Sequence, residues 1–313
     1  MSFQYLKPRG STRFKDRYTT KADENLTKFE TGDTGEIGMI GLPSSKSSIS
    51  FSMAAEAPSS IRSALGSFST YSGDKDEDYA DMKLLDYGDV AVHPTSLEET
   101  LHRLQVSVSE MLETRACERY VVLGGDHGIS YPSISAFHKH YGRIGVIQWD
   151  AHHDLRNLED GGRTNGTPFR SLLESGVLQG SNLVQVGIRD FSNAKAYADY
   201  AKEQGIHVYT MADVDKTGLN DIITAEIERL SKEVDMIYLS VDMDAVDQAF
   251  APGCPAVGPG GFTSRELLNS ISVAASKPKV KAMDIVEIDP SKDVRDITSR
   301  LAAHVMLRFM YQS

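Results

Sequence analysis

The sequence predicts a three-layer α/β fold in which helices cover both faces of a parallel β-sheet. Short runs of Val, Ile, Leu and Met alternate with longer amphipathic stretches of helical periodicity, and no internal repeat or low-complexity tract interrupts them. Strands that alternate with helices form βαβ units, whose strands pair in parallel. The composition, 40% hydrophobic and 25% charged, is typical of a globular protein that can bury a sizeable core.

Eight apolar runs are the predicted strands, and two of the intervening helices are clearly marked. Residues 96–114 follow a capping signal, and residues 219–233 carry apolar side chains at helical spacing. We therefore expect a polar N-terminal arm over 1–33, a single domain over 34–313 and a long functional loop over 251–263. The predicted strands are 36–41, 83–86, 119–123, 144–149, 183–188, 206–209, 236–241 and 280–286.

Charge, cysteine content and hydrophobicity argue against several classes of protein. The net charge is −11 and no run of Lys or Arg stands out, so nucleic acid is not an expected partner. Cys117 and Cys254 are far apart, which argues against a disulfide framework or a cysteine-based zinc site. The first thirty residues contain no apolar segment typical of a secretory signal, and no stretch is long enough to span a bilayer. We expect a cytoplasmic protein without a membrane partner.

Acidic residues and histidines directly follow four of the predicted strands. In a parallel sheet, ligands collect beyond the carboxyl ends of the strands, so we expect these side chains to meet at one edge. They are His127 after the run 119–123, Asp150, His152 and Asp154 after 144–149, Asp242 and Asp244 after 236–241, and Glu287 after 280–286.

The spacing of these residues indicates a dinuclear metal site. Alternate residues of an extended segment point to the same side, so the acids and histidine in 150–154 form one row and the two acids in 242–244 form another. Four carboxylates repel one another unless about two divalent ions neutralise them. Many oxygen ligands with a minority of imidazole favour Mn²⁺ over Ni²⁺ or Zn²⁺. Asp126 could either orient its loop or touch a metal, and Asp247 fits a supporting role better than a ligand role.

Three segments resemble the metal motifs of the ureohydrolases, the superfamily of arginases and agmatinases. They are Gly-Gly-Asp-His at 124–127, Asp-Ala-His-x-Asp at 150–154 and Ser-x-Asp-x-Asp at 240–244. The resemblance spans nearly the whole chain, because 41–43 with 57–62, 86–89 and 284–287 also resemble family segments. It implies an eight-stranded parallel sheet in an α/β/α sandwich, two Mn²⁺ per chain, and assembly as a trimer or hexamer. The metal ligands that it implies are His127, Asp150, His152, Asp154, Asp242 and Asp244.

Within that family, the chain departs from arginases and agmatinases at informative positions. Asn165, which we expect to contact the substrate, stands where those enzymes carry a histidine before Gly-x-Pro. Arg156 stands where arginases have the asparagine of Asp-Ile-Asn. With 187–192 and 252–255, these features look most like the formimidoylglutamases of histidine degradation. The resemblance thus implies hydrolysis of N-formimidoyl-L-glutamate, an anionic amidine, to L-glutamate and formamide.

The resemblance also implies roles for individual residues. Water activated by the two ions would attack the formimidoyl carbon, and Asp154 would carry its proton to the departing glutamate nitrogen. Glu287 would bind the cationic formimidoyl NH₂, and Arg156 would bind a substrate carboxylate. Arg189 or Arg163 is the candidate for the second carboxylate, although a structural ion pair is an equally open role for Arg189.

Two alternatives stay open at this point. An agmatinase or guanidino-acid hydrolase that releases urea would use the same metal ligands, although agmatine has no carboxylate for Arg156 to bind. A non-catalytic metal-binding scaffold is the alternative from another class. The intact set of ligands argues against a scaffold.

Overall fold

A nine-stranded parallel sheet lies at the centre of the computed structural model, which describes residues 16–311. In chain order the strands are β1 (Leu26–Lys28), β2 (Ile37–Gly41), β3 (Tyr71–Ser72), β4 (Glu77–Asp78), β5 (Leu84–Asp89), β6 (Arg119–Leu123), β7 (Ile144–Trp149), β8 (Leu183–Ile188), β9 (His207–Thr210), β10 (Met236–Asp242) and β11 (Val280–Val286). The order across the sheet is β1-β5-β2-β6-β11-β10-β7-β8-β9, while β3 and β4 form a separate antiparallel pair. The last of these strands, β11, therefore lies at the middle of the sheet.

Helices pack on both faces of this sheet and complete three layers. They are α1 (Ala57–Leu65), α2 (Leu97–Glu113), α3 (Ser130–Tyr141), α4 (Pro168–Glu174), α5 (Lys195–Glu203), α6 (Met211–Thr217), α7 (Leu219–Glu233), α8 (Ser264–Ala275) and α9 (Ile297–Met310). One buried cluster joins the sheet to α1, α7, α8 and α9, and a second joins its other face to α2, α3 and α4. None of the helices within residues 16–311 is both long and apolar enough to cross a membrane.

The α/β/α fold class predicted from the sequence is confirmed, and the strand count is nine instead of eight. All eight apolar runs form strands of the sheet, and the two marked helices are α2 and α7. The ninth strand, β1, pairs with the edge of β5, where Leu26 lies opposite Leu84. It belongs to the segment 1–33 predicted as a polar arm, of which 1–15 lie outside the described residues.

Ion pairs join two of the segments that resemble the family outside the metal motifs, 57–62 and 86–89. Arg62 of α1 donates from Nε to Asp86 Oδ2 at 2.8 Å and from Nη1 to Asp89 Oδ1 at 2.6 Å. Its Nη2 donates to Asp86 Oδ1 at 2.9 Å, so the planar guanidinium binds both oxygens of that carboxylate. These contacts fasten α1 to the carboxyl end of β5.

Candidate metal centre

Four adjacent strands deliver the predicted ligands to one edge of the sheet. Strands β6, β11, β10 and β7 are neighbours in that order, and their carboxyl ends point the same way because they are parallel. Residues that are more than a hundred positions apart in the sequence thereby become neighbours. The structure brings all six of the predicted ligands, and Glu287, to this edge.

The first group of ligands surrounds the imidazole of His127. Its Nδ1 lies 2.9 Å from Asp154 Oδ2, 3.1 Å from Asp150 Oδ2 and 3.1 Å from Asp242 Oδ2. Adjacent ligands of an octahedral ion bound at about 2.1 Å are about 3 Å apart, so this spacing fits a shared ion. The carboxylate of Asp242 is fixed in this orientation, because its Oδ1 accepts a hydrogen bond from the backbone N–H of Asp244 at 2.8 Å.

The second group lies beside the first and shares a carboxylate with it. His152 Nδ1 lies 3.1 Å from Asp244 Oδ2 and 3.4 Å from Asp150 Oδ1. Asp150 therefore directs Oδ2 to the first group and Oδ1 to the second. Two groups of ligand atoms that meet at one carboxylate are suited to two ions bridged by Asp150.

The hydrogen bonds of His127 leave its Nδ1 available as a ligand atom. Its Nε2 is 3.0 Å from Ser240 Oγ, and that hydroxyl donates to Asp284 Oδ1 at 2.8 Å, so Nε2 carries the proton. Nδ1 is buried and lacks a hydrogen-bond partner within residues 16–311. A buried ring nitrogen surrounded by three carboxylate oxygens fits a metal ion, and a second ring nitrogen fixed by a hydrogen bond is typical of metal-binding histidines.

The charge of the cluster also favours bound cations. Burial, together with repulsion from Asp150, raises the pKa of Asp154 to about 6. Burial and the neighbouring Asp244 raise the pKa of Asp242 well above its ordinary value. Although burial opposes it, attraction to Asp244 and Asp150 raises the pKa of His152 to about 12. Without ions the imidazoles hold protons against the carboxylates, and bound metal ions would displace those protons.

Glu287 lies beside the cluster in a left-handed backbone conformation, with φ +59°. Its Oε1 accepts from the backbone N–H of His127 at 2.8 Å and from Asn165 Nδ2 at 2.9 Å. Burial and the nearby Asp126 carboxylate raise the pKa of Glu287 to about 8. Asn165 is held in turn, because its Oδ1 accepts from Ile49 N at 3.1 Å. Asn165 therefore holds Glu287 beside the ligand cluster.

A cavity of about 370 Å³ opens over the cluster. Arg156, Asn165 and Glu287 line it together with ligands of both groups. The guanidinium of Arg156 lies 5.8 Å from the ring centroid of Tyr197, and no described residue forms a hydrogen bond with it. Sequence reasoning missed most of the remaining lining residues, except that Pro255 and Ala256 belong to the loop predicted as functional. The lining residues not predicted individually are Ile49, Ser50, Gly166, Ser192, Asn193, Ala194, Tyr197, Pro255 and Ala256.

The geometry corrects the substrate-binding role predicted for Arg189. Its side chain is buried, and Nη2 donates to the carbonyl oxygens of Asp244 at 2.7 Å and Ala245 at 3.1 Å. Nη1 donates to the carbonyl of Gly258 at 3.2 Å. The guanidinium thus supports the loop after β10 and does not line the cavity. Arg163 also lies away from the cavity, with its guanidinium 4.5 Å from the ring centroid of Tyr131.

Asp126 and Asp247 both hold loops. The Asp126 carboxylate is fully buried and accepts from Ser47 N at 2.9 Å and Gly128 N at 3.1 Å, so it joins the loop after β2 to the loop after β6. Asp247 accepts from the amides of Ala249 at 2.9 Å and Gly260 at 2.6 Å. Of the two roles left open for Asp126, the structure shows the orienting one.

Comparison with known proteins extends this description. The model of the arginase family matches residues 35–311. A formimidoylglutamase from Halalkalibacterium halodurans is 52% identical over 297 residues, which cover 95% of this chain and 93% of that protein. A formimidoylglutamase from Bacillus subtilis is 43% identical over 305 residues, which cover 97% and 95% respectively.

Solved structures have the same fold. The crystal structure of the Bacillus subtilis formimidoylglutamase superimposes with a TM-score of 0.94 over 98% of this chain and 95% of that one. A formiminoglutamase from Trypanosoma cruzi, solved with Mn²⁺, has a TM-score of 0.84 at 24% identity and covers 94% of this chain and 97% of that one. The fold is therefore retained even where little of the sequence is.

Proposed function

The chain belongs to the arginase family, and from that premise we propose that it is a manganese-dependent hydrolase that cleaves N-formimidoyl-L-glutamate to L-glutamate and formamide. Identity of 52% with a formimidoylglutamase over nearly the full length supports this substrate. The observation that carries the proposal is the free guanidinium of Arg156 in the cavity above the ligands. Agmatine offers no carboxylate to such a group, whereas formimidoylglutamate offers two.

We infer that the two ligand groups hold two Mn²⁺ ions per chain. Asp150 joins the groups, and His127 and His152 each present Nδ1 to one of them. When bound, the ions would supply a water nucleophile that is reactive near neutral pH and would neutralise charge that develops on the substrate. Hydrolysis then breaks the bond between the formimidoyl carbon and the glutamate nitrogen.

Glu287 binds the formimidoyl group in this proposal. Its Oε1 is already engaged by His127 N and Asn165 Nδ2, and Oε2 has no hydrogen-bond partner within residues 16–311. A charged hydrogen bond from the cationic NH₂ of the substrate to this carboxylate would orient the formimidoyl carbon over the ligand cluster. Because Asn165 holds the carboxylate, the side chain loses little freedom when substrate binds.

Asp154 moves the proton. Asn165 stands where arginases and agmatinases carry a histidine. Its amide does not titrate near neutral pH, so it cannot transfer the proton. The ionisable residues that line the cavity are otherwise the metal ligands, Glu287, Arg156 and Tyr197. Asp154 contacts the first ligand group through Oδ2 and is one-tenth exposed, so a proton taken from water can pass from it to the leaving nitrogen.

Arg156 tests the substrate assignment most directly. A charged hydrogen bond from arginine to a carboxylate contributes about 1.5–3 kcal/mol, so Arg156→Ala should lower kcat/KM for formimidoylglutamate by roughly ten- to hundredfold. Arg156→Lys should restore part of the loss, because lysine supplies the charge without the planar fork. The measurement is steady-state release of formamide by Mn²⁺-loaded protein, with agmatine, arginine and guanidinobutyrate as competing substrates and urea as their product.

Arg163→Ala is the matched control, because Arg163 is an exposed arginine of the same loop that lies against Tyr131 and outside the cavity. Its kcat/KM should stay close to that of the wild type. A formimidoyl amine without carboxylates should be cleaved about equally slowly by the wild type and Arg156→Ala. Equal losses of Arg156→Ala on both compounds, or urea as the main product of the wild type, would contradict the proposal.

The trimeric or hexameric assembly and the cytoplasmic location remain predictions. Both rest on the resemblance and on the sequence, and neither is needed for the arrangement of the ligands, which all come from one chain. Light scattering of the purified protein would measure the assembly.

A further inference from the structure

Two glutamines lie in the middle of buried strands that are otherwise apolar. Gln148 in β7 and Gln185 in β8 are both fully buried, and they stand opposite each other in the register of the two strands. Burying an amide without hydrogen-bond partners costs several kcal/mol, so such a pair persists when every donor and acceptor is used. The partners of these amides lead directly to the metal centre.

A chain of hydrogen bonds runs from Asp150 into the sheet. Gln148 Nε2 donates to Asp150 Oδ2 at 2.6 Å, and Gln185 Nε2 donates to Gln148 Oε1 at 2.7 Å. The last link joins Gln185 Oε1 to Nδ1 of His153 at 2.7 Å. Asp150, where this series of hydrogen bonds begins, is the carboxylate that the two ligand groups share.

The chemistry of Asp150 sets the donor and the acceptor of every hydrogen bond in this series. An ionised carboxylate only accepts hydrogen bonds, so Gln148 must turn its NH₂ toward Asp150 and its carbonyl toward Gln185. Gln185 must then turn its own NH₂ toward Gln148 and its carbonyl toward His153. His153 therefore donates from Nδ1, and one tautomer of this imidazole is selected by a carboxylate three links away.

The same amides hold the backbone that carries the second histidine ligand. The remaining N–H of Gln148 points to the carbonyl of His152 at 3.3 Å, and Gln185 Nε2 also donates to the carbonyl of His153 at 2.7 Å. The amide N–H of His152 donates to Asp150 Oδ1 at 2.6 Å. Both oxygens of Asp150 are thus oriented, one by the side chain of Gln148 and the other by the backbone.

We propose that Gln148, Gln185 and His153 are positioning residues that set the orientation of the bridging carboxylate Asp150 for two metal ions. None of the three belongs to the predicted ligand set. Gln148 alone donates a hydrogen bond to a ligand side chain, that of Asp150, and Gln185 and His153 act through Gln148. The inference rests on the proposed metal centre and is independent of the proposed substrate. The sequence signal is a single glutamine within each of two consecutive apolar runs, 144–149 and 183–188.

The test is the affinity of the metal-free protein for Mn²⁺, measured by titration calorimetry together with metal content. Loss of a group that orients a metal ligand typically weakens binding 10- to 100-fold, so Gln148→Met should raise the Kd for Mn²⁺ by about that factor. Gln185→Met should raise it by less, because Gln148 keeps its contact with Asp150 but loses its own support. Should Gln148→Met not fold, Gln185→Met carries the test.

Asn25→Leu is the matched control. Asn25 is a buried amide that donates to the carbonyls of Tyr79 and Met82, each at 2.7 Å, far from the ligands. It should lower the Tm of the metal-free protein without changing the Kd for Mn²⁺. If both glutamine variants bind Mn²⁺ as tightly as the wild type, or lose no more affinity than Asn25→Leu, the inference is overturned. A wild type that binds no Mn²⁺ would instead overturn the metal centre, and this inference with it.

Discussion

Asp242→Ala is expected to remove at least one of the two Mn²⁺ ions from each chain and to abolish most of the activity. Asp242 Oδ2 lies 3.1 Å from His127 Nδ1. Removing this carboxylate takes one ligand and one negative charge from the first group. Charge stabilisation by a metal ion is worth several kcal/mol, and each 1.4 kcal/mol is tenfold in rate, so turnover should fall about a thousandfold or more. Metal analysis and formamide release measure the two effects.

Asp235→Ala is the matched control for that variant. Asp235 directly precedes the same strand at its opposite end, where its carboxylate accepts from Arg143 N at 2.8 Å on the surface. Metal content and turnover should both remain at the level of the wild type. A fully active wild type that holds a single ion, or an Asp242→Ala protein that keeps two ions and its rate, would refute the two-metal proposal.

Asp154→Asn is expected to retain metal while turnover drops by about 10²–10⁴-fold, the usual effect of losing a general acid or base. An amide oxygen can still bind an ion, but it cannot accept and release a proton. Asparagine is also the replacement that least disturbs the backbone here, since Asp154 has φ +53° and asparagine tolerates this left-handed region well.

The rate of Asp154→Asn has to be compared with the wild type at equal metal occupancy, measured on the same samples. A rate within a few-fold of the wild type at full occupancy would show that another group carries the proton. The pH profile distinguishes the two cases further, because removal of the titrating group should remove one limb of the profile of kcat/KM.

The strands and the ligand cluster could be predicted because both depend on local features of the sequence. Apolar runs mark strands that are buried on both faces, and the parallel arrangement then places whatever follows them at one edge. Strand β1 was missed because Leu26–Lys28 is a short segment without an apolar run, and it is ordered by pairing with β5. No periodicity signals an edge strand of this kind.

Contacts between distant loops could not be predicted. Arg189 donates to carbonyls that lie 55 and 56 residues further along the chain, and nothing near Arg189 in the sequence distinguishes this role from binding a carboxylate. The pairing of Gln148 with Gln185 depends on the register between β7 and β8, which the apolar pattern does not specify. The sequence shows that a glutamine interrupts each of these two apolar runs, but it does not show that the two glutamines are hydrogen-bonded to each other.

The central position of β11 has a consequence for how the protein is made. During synthesis this strand leaves the ribosome after the other ten, yet it must insert between β6 and β10. Until then those two strands present unpaired edges, and unpaired edges of apolar strands are prone to pair with one another or with other chains. Closure of the sheet also requires contacts between segments far apart in the chain, which slows folding. We expect the nascent protein to depend on chaperones until β11 has emerged, and chains truncated before it to aggregate.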